Sequence, residues 1–161
     1  MGHMIQAVIA KPDVMTRIKR GLDAPIAVDL PQGFELLFMS EQVINDIHAV
    51  NPGTEVIEPF EYLDTGMSDY LTSICIDDSC VYLETDYFGG TGIQCAAFFS
   101  QGTLVESLHS SSSVLEPDLH AQGLLWNAPI NTMFRRMGII REPGLDEFDS
   151  MNMGEYRRIP G

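Results

Sequence analysis

Cys80-Val81-Tyr82-Leu83-Glu84-Thr85-Asp86-Tyr87-Phe88 and Ile93-Gln94-Cys95-Ala96-Ala97-Phe98-Phe99-Ser100 are two apolar, β-prone runs joined by Gly89-Gly90-Thr91-Gly92. Runs of this length, rich in Val, Tyr and Phe and separated by a glycine cluster, predict two antiparallel strands and a hairpin. Gln101-Gly102 makes a second turn into Thr103–Leu108, so the hairpin extends into a meander. On the first strand Glu84 and Asp86 alternate and therefore share a face.

Outward from this block the pattern stays mixed. Ile5–Ala10, Ala24–Asp29 and Gly33–Met39 read as strands, the last two separated by the turn Pro31-Gln32-Gly33. Asp13 is placed to cap a short basic helix through Lys19 that stops at Gly21. Ser40 caps a clearer helix with Val43, Ile44 and Ile47 at helical spacing, ended by Asn51-Pro52-Gly53. Glu55–Tyr62, interrupted by Pro59, reads as an edge strand or a loop. Ser68–Ile76 and Asn127–Met137 read as helices, the latter with Pro129 in its first turn and Gly138 as its stop. Ser110–Ser113 reads as a mobile polar loop, and Leu145, Phe148 and Met151 as anchors of a polar tail. The expected fold class is α+β: an antiparallel sheet or meander with two or three helices packed on one face, in a single domain spanning 5–161. Met1-Gly2-His3-Met4 reads as a cloning scar (residues 1–4).

Charge supplies the main functional clue. The 114 residues from Gly21 to Phe134 hold 17 Asp and Glu and no Lys or Arg, within a chain of net charge -14. Such a body repels nucleic acid and anionic membrane and attracts basic partners. The absence of a long apolar run argues against a membrane span. Three cysteines, an odd count, favour reduced thiols and a cytoplasmic location, although a Cys75–Cys80 disulfide is open.

Catalytic and metal signatures are weak. The glycine string lacks the Gly-Lys-Ser/Thr of a phosphate loop and the spacing of a dinucleotide turn, and is better read as hairpin architecture than as a ligand loop. Glu84 and Asp86 could serve a small hydrolase, but no His, Lys or third ligand accompanies them in sequence. Cys95 sits among apolar residues without a basic neighbour and reads as a buried, inert thiol. His48, His109 and His120 are scattered, and the acidic clusters do not match a calcium loop, so neither a metal nor a cofactor is expected.

Three pieces of the chain resemble a group of small bacterial proteins that look like immunity proteins of polymorphic and contact-dependent toxin systems. They are Gly33–Ser40, Tyr82–Ala96, and Ala128–Ile139 with Asp146–Asp149 and Met153-Gly154. Cys95 stands where that group would carry a small residue. The resemblance implies no cofactor and no catalytic residues. It does imply an immunity-type inhibitor that binds and neutralises a basic toxin domain. The partner-binding residues expected here are Glu55, Glu58, Glu61, Asp64, Asp69, Asp77 and Asp78, with Tyr62 and Tyr70 as aromatic anchors. Two alternatives are an acidic nucleic-acid mimic that inhibits a DNA-binding protein and the hydrolase using Glu84 and Asp86.

Overall fold

In the computed structural model, which describes residues 2–88, 91–112 and 128–160, the paired strands form one six-stranded antiparallel sheet. The strands are β1 (His3–Ala10), β2 (Ala27–Leu30), β3 (Phe34–Phe38), β4 (Ser79–Phe88), β5 (Thr91–Ser100) and β6 (Thr103–Ser112). Their order is β2-β3-β1-β4-β5-β6. The class is α+β, as the pattern predicts.

The hairpin leads the register. β4 and β5 pair from Ser79↔Ser100 to Phe88↔Thr91. A Cβ on Gly92 would run into the Tyr87 ring, so glycine is required there by the close packing of that ring. Gly89 and Gly90 lie outside the described residues. β6 continues past the expected loop, because Ser110, Ser111 and Ser112 pair with Gln94, Ile93 and Gly92. Polar residues suffice there because β6 is an edge strand. Ser113 lies outside the described residues.

Helices cover both faces. On one face lie α1 (Pro12–Lys19), α2 (Glu41–Val50) and α3 (Thr65–Ile74). They pack Met15, Ile18, Val43, Ile47, Met67 and Leu71 against Val8, Ala10, Tyr82, Ala97 and Phe99 of the sheet. The other face, for which the sequence suggests no separate cover, carries α4 (Pro129–Arg136), the short α5 (Glu147–Ser150) and the segment through Ile159. There Ile130, Met133, Phe134, Met151 and Met153 meet Ile5, Ala7, Ile9, Leu36, Val81, Leu83 and Ala96. A strand stretch buried on both sides loses its apolar–polar alternation, which is why Ala7–Ala10 of β1 and Cys80–Leu83 of β4 read as continuous apolar runs.

Caps fix the helix starts. Ser40 Oγ accepts the Val43 N–H at 3.3 Å, as its position predicts. α1 begins at Pro12 without a side-chain cap, and Asp13 lies inside its first turn. α3 starts earlier than the Ser68 expected from the sequence. Asp64 caps it by accepting the Met67 N–H at 2.9 Å, which extends the helix by one turn. α4 is held at its start by Gln94 Oε1, which accepts the Ile130 N–H at 2.8 Å. Asn131 bonds Asp146 through its amide N–H (3.1 Å) and accepts the Phe148 N–H (2.8 Å), tying α4 to α5.

Near Met4 the sheet is extended by the tail. β3 pairs only with Ala7–Ala10 of β1. Beyond it, the Met4 N–H donates to the Arg157 carbonyl at 2.8 Å, and Met4 bridges Arg158 in parallel. His3 is buried in β1, with Nδ1 bonded to Thr85 Oγ1 (2.7 Å) and Nε2 to the Met153 carbonyl (2.9 Å). His3 and Met4, set aside with the scar, thus belong to the paired length of β1.

α2 and α3 meet at glycine. A Cβ on Gly66 would strike the Asn51 carbonyl and come within 2.6 Å of the Gly53 backbone nitrogen. Gly66→Ala is therefore expected to cost about 1–3 kcal/mol through backbone displacement. Gly154→Ala, where a Cβ meets open space, is expected to stay within about 0.5 kcal/mol of the parent. Denaturant titration of the pair checks this, and equal midpoints would contradict it.

Candidate functional site

Four strands bring Gln6, Glu84, Cys95 and His109 into one cross-strand row. The register pairs Gln6 with Glu84, Glu84 with Cys95, and Cys95 with His109. The row continues the face that α1–α3 cover further along, but the helices stop short of it. The segment between α2 and α3 covers part of it instead, turning at a cis Glu58–Pro59 peptide.

Glu84 holds that segment in place. Its Oε2 accepts the Glu61 N–H at 2.9 Å, and its Oε1 accepts the Tyr62 and Leu63 N–H groups at 2.9 and 2.8 Å. The Tyr82 hydroxyl also donates to Oε1 at 2.8 Å. Three consecutive backbone donors and a phenol thus converge on one buried carboxylate. Tyr82's own titration is pushed well up, by burial first and by Glu84 second. Phe60 packs edge-on against the Tyr82 ring, with centroids 5.7 Å apart.

Between this segment, the sheet and the tail lies a cavity of about 530 Å³. Its apolar surface comes from Met4, Pro59, Phe60, Ile93 and Ile159, and its polar groups include Gln6, Glu61, Tyr62, Asp86, His109 and Arg158. Tyr62 is 47% exposed. Its hydroxyl is raised by the charge of Glu61 first, then by burial, Glu84 and Asp86, so the carboxylates' fields meet at this ring. Gln6 Oε1 is buried and has no hydrogen-bond donor among the described residues.

The expected partner-binding residues do not form one face. Glu55, Glu58, Glu61 and Tyr62 are exposed together on the segment above the cavity. Asp77 and Asp78 are exposed at the opposite end of β4 from Asp86, roughly 26 Å away at about 3.3 Å per residue. Asp78 is also paired with Arg17 at 2.6 Å. Asp69 is exposed on α3. Asp64 is half-buried, capping α3 and bonded to His48 Nε2 at 2.6 Å, so both of its oxygens serve the fold. Tyr70 requires correction as an aromatic anchor. It is buried against α1, its hydroxyl donating to the Ile18 carbonyl at 2.6 Å, and its ring is out of a partner's reach.

Glu84 and Asp86 both line the cavity, but Glu84's oxygens already accept four internal hydrogen bonds, which leaves little room for acid–base work on a substrate. Cys95 is buried, its Sγ 3.6 Å from the Pro59 carbonyl. Burial first, then Glu84 and Glu61, push its thiol up to about 11. Cys75 and Cys80 are buried free thiols with sulfurs 3.2 Å apart. Among the described residues, no group of three or more His, Cys, Asp or Glu is placed to hold a metal ion. No described helix is long and apolar enough to cross a membrane.

The elevated thiol has a measurable consequence. Cys95 should hold roughly a hundred-fold less thiolate than a free cysteine at pH 8, and should alkylate correspondingly slowly until the protein is unfolded. Its folded value lies above its unfolded one, so its contribution to stability is complete below about pH 9 and is lost as the pH rises towards 11. Mass-resolved iodoacetamide labelling checks the first part; rapid labelling of native Cys95 would contradict it.

The cross-strand row is only partly visible in sequence. Glu84 and Asp86 share a face by alternation alone, whereas Gln6 and His109 enter through register. A charged residue in an otherwise buried strand face, after Cys80 and Tyr82, was the available signal for Glu84's internal role. Comparison of the chain with protein-family models, with curated proteins and with solved structures finds no match in any of the three.

Proposed function

We propose that this protein is an immunity-type inhibitor that binds a basic protein partner, a toxin domain, in the cytoplasm. Its recognition surface is the Glu55–Tyr62 segment above the cavity. The observation that carries this reading is an exposed acidic segment anchored at one end by Glu84. Glu55, Glu58 and Glu61 are exposed on the same segment as the exposed Tyr62 ring, and Glu84 holds the backbone at Glu61, Tyr62 and Leu63 by three N–H bonds. A surface held in its binding geometry loses less conformational entropy on association. The carboxylates would speed encounter with a basic surface, and the aromatic ring would slow dissociation.

Neither alternative gains support of this kind. A nucleic-acid mimic needs acids in a phosphate-like row, and these fall into two separated groups. A hydrolase needs a free acid–base pair, and Glu84 is fully bonded.

The test is co-expression with the product of the adjacent open reading frame, followed by titration of the purified pair. Relief of toxicity and a Kd below about 1 µM are expected. The triple variant Glu58→Lys/Glu61→Lys/Tyr62→Ala should bind at least about a hundred-fold more weakly. Absence of relief and of sub-micromolar binding would refute the reading. A triple variant that binds like the parent would remove the segment from the interface.

A further inference from the structure

We propose that the cavity beneath Tyr62 is a binding site for an organic cation, a guanidinium or ammonium group on a short apolar stem. The volume of about 530 Å³ lies within the range of roughly 300–1,000 Å³ common to small-molecule pockets. Its chemistry is divided as such a ligand requires. Met4, Phe60, Ile93 and Ile159 offer apolar contact to a stem.

The polar lining accepts more than it donates. Gln6 Oε1 is a buried acceptor without a donor among the described residues, and a cationic N–H would satisfy it. Asp86 and Glu61 have no ion-pair partner among the described residues. Glu84 is saturated by internal donors and adds negative field, not a further bond. Among the described lining residues Arg158 is the one guanidinium and His109 the one imidazole, against the three carboxylates Glu61, Glu84 and Asp86. The Tyr62 ring at the edge of the cavity gives a cation an aromatic face.

Two sources could present this group: a free amine, or an Arg or Lys side chain of the basic partner. Only the second rests on the function proposed above. The free-ligand arm titrates the isolated full chain with butylguanidinium and with its neutral isostere butylurea, followed by amide chemical shifts in NMR. Saturable shifts around Gln6, Tyr62 and Asp86, with a Kd below about 1 mM for the cation, are expected. Butylurea and the Asp86→Asn variant should each show binding at least about ten-fold weaker. Asp77→Asn, at the other end of β4, should bind like the parent. Asp86 is exposed, so its substitution leaves the core untouched.

The second arm adds butylguanidinium to the partner complex: competition identifies the side chain as the source, and no competition identifies a free ligand. No saturable binding up to about 10 mM, equal binding of butylurea, or an Asp86→Asn variant that binds like the parent would overturn the proposal. That failure would leave the partner-binding surface standing, just as a failed partner titration would leave the butylguanidinium result standing.

Discussion

Glu84→Ala is expected to lower the melting temperature by roughly 6–12 °C, corresponding to about 3 kcal/mol in a domain of this size. The substitution removes the acceptor for the N–H groups of Glu61, Tyr62 and Leu63 and for the Tyr82 hydroxyl at once. Leu63 and Tyr82 are both fully buried, so their donors cannot all turn to water. An unsatisfied buried donor costs about 1–3 kcal/mol, and partial water entry from the cavity side offsets some of the four. Amide exchange should accelerate at residues 61–63 before it does so in the sheet. Glu84→Gln keeps one oxygen but places an NH₂ among donors, and should fall between the parent and Glu84→Ala. A melting temperature within 2 °C of the parent for Glu84→Ala would show that the carboxylate does not organise the segment. It would also remove the anchoring on which the proposed partner recognition rests.

Phe134→Ala should destabilise by about 3–5 kcal/mol, a fall of roughly 6–20 °C in melting temperature. Phe134 is fully buried between α4 and the sheet, in a core shared with Val81, Leu83 and Ala96. Removing its ring leaves a void lined by β4 and β5, strands that also carry the opposite core. Loss should therefore appear as one cooperative transition at lower temperature. A separate early melting of α4 and the tail, with the sheet unchanged, would mean that the second face is an independent cover.

The hairpin and the apolar strands were legible because their residues respond to local geometry: glycine at the turn, β-branched and aromatic residues between. The two-sided burial was harder to read. Apolar runs in β1 and β4 signal cover on both faces, but nothing local says that the second cover is assembled from residues 129–159. Tyr70 was misread because acidic neighbours drew it onto the surface. Met67, Tyr70, Leu71 and Ile74 stand at helical spacing, and that stripe places the ring inside. Asp77 and Asp78 follow Glu55–Tyr62 closely in sequence, yet a helix and the full length of a strand separate them in space.

Two of the three sequence pieces that carry the resemblance are bonded to each other. Gln94, from the string after the hairpin glycines, receives the first free N–H of α4. Asn131 of α4 in turn holds Asp146 and Phe148. The assembly of the second face accounts for the placing of Gln94, Asn131, Asp146 and Phe148 independently of any partner.

The joining of Met4 to residues 157 and 158 also constrains the order in which a ribosome can complete this sheet. Among the strands of this sheet β1, one of the two central ones, emerges before the others, and its partners follow it: β3, then β4, then the tail at Arg158. Its buried apolar residues Ile5, Ala7, Val8, Ile9 and Ala10 must wait until residues 157 and 158 have been made for complete cover. Vectorial synthesis therefore gives this sheet no early resting point, and slower elongation would lengthen the exposure of its stickiest strand.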